Sequence, residues 1–199
     1  MKNNVIIFAS QNENKVKEVK EMLKEYDVRS LNDIGFNEDI EETGTTFYEN
    51  ALIKANAIKN YLNKIDENYF ILADDSGLCV DSLNGEPGVY SARYAGIHGD
   101  DANIRAKLLE KLKDKTNRDA YFVCSMVLID ENGKIYNVEG KTFGRILKKE
   151  TGNTKFCFDC LFFSNELNKC FGECLPSEKD SVSHRGKAVE QIKKLLKTL

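Results

Sequence analysis

The 199-residue chain predicts an α/β protein with a mixed central sheet and flanking helices. Short apolar runs rich in β-branched residues alternate with stretches of helical periodicity, and two apolar segments meet at a hairpin turn. No internal repeat or low-complexity linker divides the chain. The length suits a single domain, 1–199, large enough to bury a substantial core.

Each element has its own local reason. Val5 to Ala9 is a continuous apolar run ending at Ser10-Gln11-Asn12, which predicts a strand buried on both faces. From Lys15 the apolar residues Val16, Val19, Met22 and Leu23 recur at helical spacing. Thr46 precedes Phe47 with Glu49 three residues on, a capping-box register that opens a helix running to about Leu62. The Lys/Asn-rich stretch from Lys59 to Asn68 reads as a solvated helix end.

Phe70 to Ala73 predicts a second strand, stopping at an acidic turn, Asp74-Asp75-Ser76-Gly77. Gly85 to Gly96, which contains Pro87, reads as an ordered loop. Asp100 opens a helix through Lys113. Strands Tyr121–Ile129 and Ile135–Phe143 join at Glu131-Asn132-Gly133-Lys134, and a last helix runs from Lys187 towards Leu196.

Composition excludes several function classes. With 29 Lys+Arg against 32 Asp+Glu the net charge is −3, which argues against a protein that coats nucleic acid. No apolar run reaches the ~18 residues of a membrane span, and the five-residue run at Val5 is too short for a signal-peptide core. Six cysteines without a secretory signal predict reduced thiols and a cytoplasmic protein.

Four groups of residues could carry chemistry, and each also has a purely structural reading. Ser10-Gln11-Asn12-Glu13-Asn14-Lys15 lies between a strand and a helix N-terminus. It suits either phosphate oxygens or a simple cap with a surface lysine. Glu41, Glu42, Asp74 and Asp75 offer oxygen ligands with no nearby histidine, the chemistry of a hard cation such as Mg²⁺, or else two separate solvated turns. Lys179 with Ser183-His184-Arg185 suits an anion or a capped helix start. No Gly-x-Ser-x-Gly elbow supports a serine hydrolase around His184. Cys157, Cys160, Cys170 and Cys174 have spacings that permit a zinc knuckle, but their bulky apolar neighbours favour buried thiols.

Taken together, these segments resemble the inosine triphosphate pyrophosphatase family. The matching stretches are Ser10 to Lys15, Glu42-Thr43-Gly44-Thr45-Thr46-Phe47-Tyr48-Glu49-Asn50-Ala51 with Lys54, Ala73-Asp74-Asp75-Ser76-Gly77-Leu78, Gly85 to Gly96, and Ser183-His184-Arg185-Gly186-Lys187-Ala188. They occur in the family's order and cover almost the whole chain.

The resemblance implies an elongated fold of two lobes around a cleft, usually a homodimer. It also implies Mg²⁺-dependent hydrolysis of non-standard purine nucleoside triphosphates (ITP, dITP, XTP) to the monophosphate and pyrophosphate. In that scheme Asp75 accepts the proton of the attacking water and, with Glu41, binds the metal. Ser10, Gln11, Asn12, Glu13, Asn14, Lys15, Lys54 and Ser76 hold the triphosphate. Phe156 to Asp159, Lys179, His184 and Arg185 surround the base, with Arg185 able to offer two donors to a purine O6 and N7.

The chain departs from the family at this last segment. Relatives usually have Phe-Gly-Tyr-Asp-Pro where this sequence has Phe156-Cys157-Phe158-Asp159-Cys160. The stacking rings are kept, while a hydroxyl, a flexible Gly and a rigid Pro are lost. Two other readings stand beside the enzyme: a nucleotide sensor that binds without turnover, and a structural zinc protein.

Overall fold

The computed structural model describes residues 4–62, 69–96, 100–153 and 156–199. Seven strands form one mixed sheet in the order β2-β1-β3-β4-β5-β6-β7, with helices α1 to α5 between and after them. The strands are β1 (Val5–Phe8), β2 (Asp27–Arg29), β3 (Phe70–Val80), β4 (Asp119–Ile129), β5 (Ile135–Ile146), β6 (Phe162–Ser164) and β7 (Lys169–Cys170). The helices are α1 (Glu13–Met22), α2 (Phe47–Leu62), α3 (Asp101–Lys111), α4 (Pro176–Val182) and α5 (His184–Leu196). β1 pairs in parallel with both β2 and β3, whereas β6 is antiparallel to β5 and β7. Among the described residues no helix is long and apolar enough to cross a membrane.

The described chain divides into two compact units. The first contains Met1–Asp75, Cys124–Glu139 and Ala188–Leu199. Strand alternation sorts its side chains into two apolar clusters. Ile6, Phe8, Leu72, Met126 and Leu128 pack with Val19 and Leu23 of α1 and with Ala188, Val189 and Ile192 of α5. Ile7, Ala9, Ile71, Ala73, Val127 and Ile129 pack with Ala51, Ala55, Ile58 and Leu62 of α2. With both faces covered, the apolar runs of β1 and β3 have no polar alternation, as the sequence predicted for β1.

The second unit contains Ser76–Val123 and Gly140–Lys187. Its core joins Leu78 and Val80 of β3 to Ile104, Leu108 and Leu112 around α3, with Phe122, Ile146, Phe158, Leu161, Phe162 and Phe171. Ser183 ends α4 and its Oγ accepts from the Gly186 N–H at 3.0 Å, so it also caps α5. The first turn of α5 lies close against α4: a Cβ at Gly186 would come within 1.8 Å of the Asp180 carbonyl oxygen.

The start of α2 was legible. Thr46 Oγ1 accepts from Glu49 N at 3.1 Å, and Glu49 Oε2 accepts from Thr46 N at 3.1 Å, completing the capping box of α2. The hairpin forms as expected, with Gly133 at φ 78° and Asp130 Oδ1 accepting from the N–H groups of Asn132 and Lys134. Of the Lys59–Asn68 stretch, Lys59 to Leu62 complete α2 and residues 63–68 lie outside the described residues.

Two expectations are corrected. Asp74-Asp75-Ser76-Gly77 is no turn: β3 continues through it to Val80, because both carboxylates find partners and the ladder can carry them inward. The last helix opens at His184 instead of Lys187, since Ser183 caps it three residues earlier than the apolar spacing indicates.

Candidate active site

In the first unit the site residues gather around the consecutive aspartates of β3. Side chains alternate along a strand, so the two carboxylates address different helices. Asp74, fully buried, meets Lys15 of α1, with Lys15 Nζ 3.0 Å from Asp74 Oδ2. The Cys124 thiol lies 3.8 Å from the same oxygen. Asp75 faces α2, where Asn50 Nδ2 donates to Asp75 Oδ2 at 3.0 Å. Asn50 Oδ1 in turn accepts from the Gly44 N–H at 2.8 Å.

Lys54 lies one helical turn beyond Asn50 and pairs with Glu42 at 2.8 Å. Burial pulls the Lys54 ammonium down, yet Asp74, Asp75 and Glu42 outweigh it and hold the group above its ordinary value. Burial pushes the Asp75 carboxyl up, against the lowering pull of Lys54 and Lys15, with Glu42 adding to the rise. The result is a desolvated carboxylate beside two cations, a setting that strengthens a base and attracts anionic oxygens.

The segment before α1 serves as a cap. Asn12 Oδ1 accepts from the N–H groups of Asn14 and Lys15, while Ser10 Oγ accepts from Asn12 N at 3.3 Å. Gln11 donates from its amide to the Glu38 carbonyl at 3.1 Å, and Glu13 is the first residue of α1. Lys15 is not the surface lysine of the simpler reading, because its ammonium is committed to a buried carboxylate. Glu41 is exposed on the loop that carries Glu42.

Among the described residues no group of three or more His, Cys, Asp or Glu side chains is arranged to hold a metal ion. The carboxylates of Glu41, Glu42, Asp74 and Asp75 are oxygen donors, the ligand type of a hard cation. Mg²⁺ is bound through one or two carboxylates, with substrate phosphates and water completing its ligands, so a full protein cage is not required.

In the second unit a separate set of predicted residues comes together. Phe156 presents its ring to two cations: Lys179 Nζ lies 4.0 Å and the Arg185 guanidinium carbon 5.4 Å from its centroid. Lys179 also pairs with the buried Asp159 at 2.6 Å. Arg185, only 2% exposed, donates from a terminal nitrogen to Ser76 Oγ at 3.1 Å. His184 stacks on Phe122, ring centroids 4.8 Å apart and planes 13° from parallel.

The departing cysteines are engaged elsewhere in this unit. Cys157 Sγ donates to the Asp101 carbonyl at the start of α3, where Arg105 also reaches the Cys157 carbonyl. Cys160 is buried beside Gly172 and Phe158 lies in the apolar core. All six cysteines are thiols outside any disulfide.

Sequence reasoning did not single out Phe122 or Arg105 as functional supports; Asn50 it put beside Lys54 on one strip of the helix, facing the cleft, without giving it a role. Asn50 also carried a signal of its own: asparagine is a poor helix former, so its place inside α2 asks for a tertiary partner.

Comparison with known proteins shows the family. The Ham1 family model matches residues 6–195. The chain is 48% identical over 196 residues to a dITP/XTP pyrophosphatase of Clostridium perfringens, covering 96% of each, and 45% identical over 195 residues to one of Bacillus subtilis, again covering 96% of each. The solved structure of the Staphylococcus aureus Ham1 protein superposes with a TM-score of 0.86 at 36% identity, covering 98% of both chains. With nearly its whole length matched by the family model and by full-length relatives, the chain belongs to the Ham1 family.

Proposed function

We propose that this protein hydrolyses non-standard purine nucleoside triphosphates, with dITP, XTP and ITP as substrates, to the monophosphate and pyrophosphate. The observation that carries the reading is the buried Asp75 carboxylate, oriented by Asn50 and set among Lys54, Lys15 and Glu42. Relatives bearing the name dITP/XTP pyrophosphatase along the full length support the substrate class.

The products require opening of the α–β phosphoanhydride by water. Asp75 takes a proton from that water as its oxygen bonds to phosphorus, and pyrophosphate leaves. Lys15 and Lys54 offset the charge that collects on the phosphate oxygens, and Ser10 to Asn14 hold the chain of phosphates. Asp75 and Glu41 would hold Mg²⁺, which when bound supplies neutralisation of phosphate charge.

Base recognition falls to Phe156 and its neighbours. The Phe156 ring stacks on the purine, and Arg185 offers paired N–H groups to O6 and N7, with Ser76 fixing its guanidinium. An adenine amino group would face those donors unpaired, at a cost of about 1–3 kcal/mol. Asp159 orients Lys179 beside the ring, and His184 is held by its stack on Phe122. Cys157 is tied to the Asp101 carbonyl and Phe158 is packed in the core, which anchors the segment.

The test is pyrophosphate release from a panel of ITP, dITP, XTP, GTP and ATP with Mg²⁺, with Asp75→Asn as control. ITP, dITP and XTP should exceed ATP and GTP, and the variant should be inactive. Release of single phosphates, or full activity in Asp75→Asn, overturns the reading, and activity undiminished by chelation removes Mg²⁺ from it. We place the enzyme in the cytoplasm, with its nucleotide substrates, and take a homodimer as its assembly, which sedimentation velocity measures directly.

A further inference from the structure

We propose that Asn50 is a positioning residue whose side-chain amide fixes the Asp75 carboxylate for proton abstraction. The inference rests on the reading of Asp75 as the proton acceptor. Asn50 is fully buried inside α2, where an amide is costly unless each polar atom has a partner.

Both partners are present, and together they leave the amide one orientation. The Gly44 N–H can only donate, so the atom 2.8 Å from it must be the amide oxygen. The nitrogen is thereby turned to Asp75 Oδ2, 3.0 Å away. Being a donor, it favours the anionic carboxylate and restrains its rotation. Gly44 completes the device through its lack of a side chain: a Cβ there would lie 2.6 Å from Asn50 Oδ1 and 2.9 Å from Asn50 N.

A donor role and a space-filling role make opposite predictions. Asn50→Asp keeps the shape and the contact with Gly44 but turns an acceptor towards an acceptor. Asn50→Ser loses volume and adds no like charge. If Asn50 only fills space, the aspartate variant should resemble the parent and the serine variant should be worse.

The experiment is steady-state pyrophosphate release from ITP by full-length Asn50→Asp, Asn50→Ser and Asp75→Asn, well below the melting temperature of each. For Asn50→Ser we expect kcat lower by about 10–100-fold, as for other groups that orient a reacting side chain. For Asn50→Asp we expect a loss beyond about 100-fold, with KM within about threefold for both, the pattern of an interaction used in the transition state. Parental kcat in Asn50→Asp, the reverse order, or a loss confined to KM overturns the proposal. Should the aspartate variant not fold, Asn50→Leu repeats the comparison without a buried charge and should again fall below Asn50→Ser. Full activity in Asp75→Asn overturns the underlying reading of Asp75; an inactive Asp75→Asn beside an unimpaired Asn50→Asp overturns only the role of Asn50.

Discussion

Lys15 and Asp74 form a 3.0 Å ion pair whose carboxylate is fully buried, tying the start of α1 to the centre of β3. Removing the cation leaves that charge inside the protein without its ion-pair partner. Lys15→Ala should therefore cost about 3 kcal/mol of stability, the lower end for a broken buried pair because the lysine retains some exposure. The double variant Lys15→Met with Asp74→Asn should recover part of the loss. Urea midpoints at constant m-value measure both.

Gly186 allows α5 to start against α4. Adding a methyl group brings it within 1.8 Å of the Asp180 carbonyl oxygen, a backbone atom that cannot swing aside. Gly186→Ala should destabilise by about 1–3 kcal/mol, the range for overpacking, despite the better helix propensity of alanine. Because His184 and Arg185 share that turn, KM for ITP should rise while kcat changes less. Thermal unfolding and steady-state kinetics check the two halves separately.

The thiols beside the Phe156 segment are held protonated. Burial pushes Cys160 up to about 11, with Glu150 adding to the rise and Arg105 opposing it. Burial and the Asp101 contact push Cys157 above its ordinary value as well. The thiolate is the reactive form, so iodoacetamide labelling of native protein at pH 7–8 should be slow at Cys157. Its rate should still climb about tenfold per pH unit at pH 9, where an ordinary cysteine, with a pKa near 8.5, is levelling off. Mass spectrometry of timed samples follows each site; fast labelling at neutral pH would contradict the assignment.

The cysteines that depart from the family pattern are engaged with α3 and Gly172, while the Phe156 ring takes its cations from Lys179 and Arg185. The triple variant Cys157→Gly, Phe158→Tyr, Cys160→Pro should therefore keep the ratio of ITP to GTP hydrolysis within about threefold, less than one hydrogen bond is worth. A larger change would give Cys157, Phe158 or Cys160 a direct part in base selection.

By itself the sequence determined the elements that rest on local rules. Apolar period marked β1 and α1, the Thr46–Glu49 pair marked the start of α2, and Gly133 marked the hairpin, since each depends on residues a few positions apart. The ordered motifs also determined the family. What only the tertiary structure decided was the fate of the charges. Asp74 and Asp75 looked like a turn because buried carboxylates need partners, and those partners, Lys15 and Asn50, come from distant parts of the chain. The same holds for the Gly44 N–H that orients Asn50 and for Phe122 behind His184. A charge can enter a sheet when folding brings its counter-group within about 3 Å, and pattern along the chain carries no record of that distance.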